Sequence, residues 1–170
     1  MTIHQASTFL ATFLFCTILW AFDLVAGTKE VLRVIADTAS LNQLQHFGTY
    51  TGHVQFSKGK AHLWAARATT KGDEKNQLIL ASLYGDKEQQ AHYWSQPSPD
   101  KPTLHAYADI IYYYPKRNLI KLQGNALVKQ GANSMSAASI TYDTKAQHVV
   151  SQSDSHNRTI LILQPDKKTL

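Results

Sequence analysis

The stretch Tyr50-Thr51-Gly52-His53-Val54-Gln55-Phe56-Ser57-Lys58-Gly59-Lys60-Ala61-His62-Leu63-Trp64-Ala65-Ala66 comes back later in the chain. It returns as Leu122-Gln123-Gly124-Asn125-Ala126-Leu127-Val128-Lys129-Gln130-Gly131-Ala132-Asn133-Ser134-Met135-Ser136-Ala137-Ala138. Gly52, Gly59, Ala65 and Ala66 each have an identical partner 72 residues on, at Gly124, Gly131, Ala137 and Ala138. Each copy reads as an alternating strand opened by Gly, a Gly turn, and a return strand ending in two small residues. A repeated β unit points to a built-up sheet scaffold rather than to a bespoke catalytic site.

Outward from the repeat, period-two alternation dominates from Val31 onward and no window gives a helical stripe. Leu32, Val34 and Ala36 alternate with Arg33, Ile35 and Asp37 in a first strand. Residues 77–84, 90–95, 106–114, 139–142, 147–151 and 159–163 read as further strands. The turns between them carry Gly85-Asp86, Pro115-Lys116-Arg117-Asn118 and Asp143-Thr144-Lys145. Pro97 to Pro102 is the longest irregular connection and is too short to link two domains. Strands of four to eight residues with regular turns mark an all-β sandwich, barrel or jellyroll.

The chain has 170 residues and a formal charge of +5, a single-domain length. Its basic residues stand singly in turns (Lys58, Lys71, Lys75, Lys87, Lys101, Lys145), so solubilising charge is the plain reading and no nucleic-acid partner is expected. Residues 8–22 form an uncharged apolar run followed by Leu24-Val25-Ala26 and Gly27, which reads as a signal peptide over 1–27 cleaved after Ala26 or Gly27. Retention of residues 8–26 as a membrane anchor is the competing reading, because the segment before the run lacks Lys and Arg. The domain then spans 28–164, with a flexible tail at 165–170. Cys16, the one cysteine, lies inside the apolar run, so the processed chain has no thiol for disulfides, metal thiolates or nucleophilic chemistry.

No catalytic residue, cofactor or metal ligand is expected. The eight histidines form no metal-binding spacing. Ser153-Asp154-Ser155-His156 holds the residue types of a hydrolytic triad, but neighbours in a polar turn cannot converge on one atom. What remains is apolar and strand-borne. One parity of the strands gathers Leu32, Val34, Tyr50, Val54 and Phe56, and in the second half Tyr113, Leu122, Ala126, Val128, Met135, Ile140 and Tyr142. These residues either close a packed core or line a slot for a lipid, where each buried methylene contributes about 0.8 kcal/mol. Composition does not separate the two.

The motifs resemble one family. Leu32-Arg33-Val34-Ile35-Ala36-Asp37, Tyr50-Thr51-Gly52-His53-Val54 and Ser57-Lys58-Gly59 look like the opening of the LptA/OstA-type periplasmic lipopolysaccharide-export proteins. Ala108-Asp109-Ile110-Ile111-Tyr112-Tyr113, Leu122-Gln123-Gly124-Asn125-Ala126 and Ile140-Thr141-Tyr142 resemble its central and final segments. His53 stands where that family has Asn, the segment before Ala91 is longer, and the tail is short. The resemblance implies an open-ended, twisted antiparallel β-jellyroll of two sheets set in a V. It implies a periplasmic bridge that carries lipopolysaccharide from the inner to the outer membrane, with lipid A acyl chains in an apolar groove. Carried over by motif, the lining residues are Leu32, Val34, Tyr50, Val54, Phe56 and Tyr113, with Tyr93; Leu122, Val128 and Tyr142 join them by strand parity. The implied partners are lipopolysaccharide and the inner-membrane-anchored and outer-membrane translocon proteins with homologous jellyrolls. A head-to-tail homo-oligomer is also implied, its edges at Val31–Ile35 and Thr159–Leu163. The alternatives are the membrane-anchored member of the same pathway and a ligand-free structural β module. Asp at Phe56 or Tyr113 is expected to impair lipid capture more than stability.

Overall fold

The computed structural model describes residues 31–96, 99–155 and 158–164; the signal-peptide and tail readings fall outside them. Twelve strands follow in chain order. They are β1 (Arg33–Ile35), β2 (Thr38–Asn42), β3 (Phe47–Lys58), β4 (Ala61–Gly72), β5 (Leu78–Tyr84) and β6 (Ala91–Ser95). The second half holds β7 (Leu104–Ala108), β8 (Ile110–Tyr114), β9 (Leu119–Gln130), β10 (Asn133–Asp143), β11 (His148–Gln152) and β12 (Ile160–Ile162). Every pairing is antiparallel. The protein is all-β, as its alternation requires.

The loops are set by aspartates whose carboxylates take over backbone donors. Asp73 accepts from the N–H groups of Lys75 and Gln77, Asp86 from those of Glu88 and Gln89, and Asp143 from those of Lys145 and Ala146. A single 3-10 turn, Pro115–Arg117, joins β8 to β9.

Four long strands give the fold its shape. The first part of β4 (Ala61 to Trp64) pairs with β6, while its second part (Arg67 to Gly72) pairs with β5. Likewise the first part of β9 pairs with β8 and its last part with β7. Because β5 pairs with β8 and β6 with β7, the six strands β4-β5-β8-β9-β7-β6 close a hydrogen-bonded ring. Strand β3, carrying β1 and β2 on its far edge, flanks the ring at β4. Strand β10, carrying β11 and β12, flanks it at β9. Two branches therefore run through the molecule and face each other. Their inner surfaces meet in one core of Val54, Phe56, Leu83, Ile111, Ile120, Leu122 and Ile140, all almost completely buried.

The strands cross from one branch to the other at bulges. Register slips between Thr51 and Val54 on β3 and between Ala137 and Ser139 on β10. At the crossing, Gly52 (φ +76°) and His53 (φ +46°) are both left-handed, as are Gly124 (φ +78°) and Asn125 (φ +47°). A Cβ on either glycine would collide with a carboxylate, that of Asp37 or that of Asp109. Each carboxylate closes its corner in the same way. Asp37 N–H donates to Gly52 O at 3.0 Å and Asp109 N–H to Gly124 O at 3.0 Å. His53 Nδ1 lies 2.8 Å from Asp37 Oδ2, and Asn125 Nδ2 donates to Asp109 Oδ2 at 3.0 Å.

Two sequence readings are corrected here. The return strand of each repeat does not end at its alanine pair. It continues to Gly72 or Asp143, and the alanines mark the point where inward parity changes, from Ala65 to Ala68 and from Ala137 to Ile140. Residues 106–114 are not one strand. Asp109 divides them into β7 and β8, which lie in different branches.

The repeat extends far beyond its motif. Adding 72 turns the β1·β3 pair Arg33↔Ser57 into His105↔Lys129 of β7·β9. It turns Thr38↔Thr51 into Ile110↔Gln123, and Phe56↔Leu63 into Val128↔Met135. For the last two strands of the unit the offset is 68, because the path from one register pair to the next, turn and strand ends together, is four residues shorter between β10 and β11 than between β4 and β5. Thr70↔Ala81 becomes Tyr142↔Val149, and His62↔Trp94 becomes Ser134↔Ile162. Strands β1–β6 and β7–β12 are thus two copies of one six-strand unit.

Candidate functional site

The duplication leaves the second unit unfinished. In the first unit the last two strands, β5 and β6, are covered by β8 and β7 through four and five register pairs. Among the described residues their counterparts β11 and β12 pair only with β10. At the other end β1 and β2, the counterparts of β7 and β8, pair only with β3 among the described residues. The exposed large apolar side chains follow the same division. Val31, Ile35, Leu41, Leu44 and Phe47 sit at the β1–β2 end, and Val150, Ile160, Leu161, Ile162 and Leu163 at the β11–β12 end. Both expected edges, Val31–Ile35 and Thr159–Leu163, fall at these ends.

Between the ends, the inner faces are packed in the middle and open toward the rims. All ten expected lining residues point inward. Tyr50, Val54, Phe56, Tyr93 and Leu122 belong to the buried core, and Leu32, Val34, Tyr113, Val128 and Tyr142 pack against it half-buried. A cavity of about 210 Å³ at the β1–β2 end is lined by Leu32, Leu41, Phe47, Tyr50 and Leu78 among others. One of about 230 Å³ at the β11–β12 end has Leu104, Val128, Met135, Tyr142, Val149 and Leu161. A third, of about 500 Å³, opens between the branches over Tyr93, Tyr113 and Tyr142, with Lys58 and Lys60 on its margin. Leu32, Tyr50, Tyr93, Tyr113, Val128 and Tyr142 thus border space, whereas Val34, Val54, Phe56 and Leu122 line none of these cavities.

Tyr93 is fixed in register by Leu63 on one side and Ala106 on the other. Its ring centroid lies 6.4 Å from that of Tyr113 across the two branches. Burial pushes the Tyr93 phenol up to about 12 and also raises that of Tyr142, so both stay neutral. Phe56, 2% exposed, meets Tyr50 edge-on at 5.4 Å. An aspartate there strikes the core, so of the two substitutions expected to spare stability only the one at Tyr113 suits the structure. Leu104, Val149 and Leu161 were absent from the expected lining. Applying the repeat offset to Leu32, Ala81 and Tyr93 would have found them.

Among the described residues, no group of three or more His, Cys, Asp or Glu is placed to hold a metal ion. No helix there is long and apolar enough to cross a membrane. The outer face of β6 and β7 carries a dense cluster of titratable rings. His92 stacks on Tyr107 at 4.3 Å and Trp94 at 4.7 Å, and its Nε2 lies 3.0 Å from His105 Nδ1. Burial, reinforced by His105, lowers His92 to about 4.

Residues 33–148 match the family model described as LptA/(LptD N-terminal domain) LPS transport protein. The chain belongs to this family. Among curated relatives of this LPS transport family, it is 31% identical over 155 residues to the lipopolysaccharide export system protein LptH of Pseudomonas aeruginosa, covering 87% of each chain. It is 25% identical over 160 residues to the export protein LptA of Escherichia coli K12, covering 93% of this chain and 84% of that one. The crystal structure of P. aeruginosa LptH, titled the LptA-homologous periplasmic component of the lipopolysaccharide transport device, superposes with a TM-score of 0.73 at 29% identity. That match covers 80% of this chain and 96% of the other. These relatives are transport proteins, in keeping with a site built from apolar walls rather than from acids, bases and nucleophiles.

Proposed function

We propose that this LPS transport protein is a periplasmic bridge that binds lipopolysaccharide by its acyl chains and hands it along a head-to-tail row of jellyrolls. The two branches act as the walls of an open-ended V. Acyl chains lie between them along Leu32, Tyr50, Tyr93, Tyr113, Val128 and Tyr142, and the sugar head stays in water. The deeper Val34, Val54, Phe56 and Leu122 form the floor that holds the walls together. With about 0.8 kcal/mol gained per buried methylene, several acyl chains are retained without any directed polar contact. The neighbours in the row are further copies of this chain and, at its ends, jellyrolls of inner-membrane-anchored and outer-membrane translocon proteins.

One observation carries the assembly: the molecule already contains its own junction. Strands β5 and β6 accept β8 and β7 of the following unit, and β11 and β12 repeat the accepting surface at the chain's end. Strands β1 and β2 repeat the donated one. Transferring the internal register places Leu161 of one copy opposite Val34 of the next, Ile160 opposite Ile35, and Val149 opposite Leu41. An unpaired apolar edge with little charge is a template for such pairing.

Cysteines at Ile35 and Ile160 test this directly, since both positions are exposed and Cys16 lies outside the domain. The double variant should form a ladder of disulfide-linked oligomers on mild oxidation, and either single variant at most dimers. A register-shifted pair such as Ile35 with Leu163 should react far less. Equal reaction of both pairs would remove the junction. For the ligand, a photo-crosslinker at Tyr113 should label lipopolysaccharide in cells, and failure there counts against the acyl cleft.

A further inference from the structure

We propose that Lys58, with Lys60 beside it, is the head-group site of the cleft and binds a phosphate carried by the acylated ligand. The proposal rests on the acyl-cleft reading above and adds to it a polar contact at a fixed place.

Three observations point there. First, Lys58 follows Phe56 on the inward register of β3 and pairs with Ala61, so it belongs to the face that lines the cleft. Among the described strand residues it is the one cation in that register, and it is half-buried. Second, the charge is not neutralised among the described residues. Neither Lys58 nor Lys60 pairs with a carboxylate there, and no carboxylate lines the cavity of about 500 Å³ that the two lysines border. A partly desolvated ammonium with no internal partner favours an anion from outside. Third, the duplication supplies an internal control. The second copy of this turn reads Gln130-Gly131-Ala132 and adopts the same backbone, with φ +58° at Gly131 against +56° at Gly59. The lysines are therefore not needed to make the turn. Gln130 instead donates to Pro102 O at 3.1 Å.

The geometry suits an amphiphile. Below the two ammonium groups the same cavity reaches Tyr93, Tyr113 and Tyr142, and across it stands the Asn118 and Thr144 turn. A molecule with its acyl chains between the branches would bring an anionic group attached near their root up to this margin. Lys116, also basic and nearby, is engaged by Asp73 and is not free for this role. Of the two copies of this turn only the first carries lysines, so this contact would recur once per chain along a row of copies; the cavity beside the second copy has Lys101 on its lining instead.

The test uses the full mature chain with diphosphoryl lipid A, the same lipid A chemically dephosphorylated, inorganic phosphate, and the neutral probe N-phenyl-1-naphthylamine. The variants copy the second unit: Lys58→Gln, Lys60→Ala and the double, with Lys58→Arg as the charge-preserving control. The double variant should bind diphosphoryl lipid A roughly five- to twentyfold more weakly than wild type, with a shallower salt dependence. Lys58→Arg should stay within about twofold, since guanidinium also binds phosphate. Dephosphorylated lipid A and the neutral probe should bind wild type and double variant alike. Equal affinity of wild type and double variant for diphosphoryl lipid A, while the neutral probe still binds, overturns the head-group site and leaves the acyl cleft standing. Loss of both lipids and the neutral probe in wild type overturns the cleft, and this site with it. Lys58-dependent binding of inorganic phosphate with no gain from lipid phosphorylation makes the site one for free anions and refutes the proposal as stated.

Discussion

Substituting Gly124 and Gly52 by Ala applies one perturbation to two matched corners, and the fold makes the outcomes differ. At Gly124 an Ala must hold φ near +78°, at a cost of about 1–2 kcal/mol for a left-handed residue bearing a Cβ. Its methyl also displaces the Asp109 carboxylate and with it the Asn125–Asp109 hydrogen bond, a further loss of about 1 kcal/mol. Asp109 sits between β7 and β8, inside the closed ring, so this cost cannot be shed by releasing an edge. The total, about 2–3 kcal/mol, should lower the melting temperature by about 5–10 °C in a domain of this size. At Gly52 the local insult is the same, and Asp37 is the group struck. There, however, β1 and β2 are attached only to β3, and their detachment leaves the ring intact. The global loss should stay below about 1 kcal/mol, with hydrogen exchange rising in residues 33–42 instead. Thermal unfolding followed by circular dichroism, with peptide-level exchange, reads both. Removing the struck carboxylate with Asp109→Ala should recover part of the Gly124→Ala loss but not the left-handed cost. Equal melting shifts at the two glycines, or none at Gly124, would falsify the reasoning that one corner lies inside the ring and the other at its edge.

The His92 site predicts acid sensitivity. Its folded value, about 4, lies below the ordinary 6.5, so the unfolded chain takes up the proton first and stability falls as pH drops from about 6.5 to 4. The loss should be about 1–2 kcal/mol, since the ring is partly exposed and screened, and His92→Gln should flatten the urea midpoint across that window. The groups facing His92, which are Trp64, His105 and Tyr107 from neighbouring strands and Trp94 from its own, leave it no carboxylate to offset the charge. Phe56→Asp, at a core position 2% exposed, should fail to fold or lose more than about 3 kcal/mol, whereas Tyr113→Asp, at a cavity wall, should fold and lose lipid capture. Both are read by urea titration beside lipid binding, and a stable Phe56→Asp protein would mean that the middle of the cleft is not packed.

The sequence by itself determined the all-β class, the turns, the two terminal edges and the inward set of apolar residues. These depend on local rules: strict alternation fixes which side chains share a face, and Gly, Pro and Asp mark the turns. The 72-residue offset was legible too, but only as a motif. Nothing local indicated that the strands of that motif change partners halfway along. Tyr50 and Phe56 keep one parity on β3, yet on β4 the inward face passes from Ala65 to Ala68, because the left-handed Gly52-His53 pair inserts a bulge that rotates the ladder. Two alanines read as a strand end and Asp109 read as mid-strand are both points where the chain passes between branches. That passage is decided by which distant strand lies alongside; the Gly and Asp at each corner let the chain make it, but they do not say which strand it will meet. Closure of the ring and the packed middle that turns Phe56 from groove wall into core therefore belong to the tertiary structure. They arise from contacts between residues that alternation alone cannot bring together.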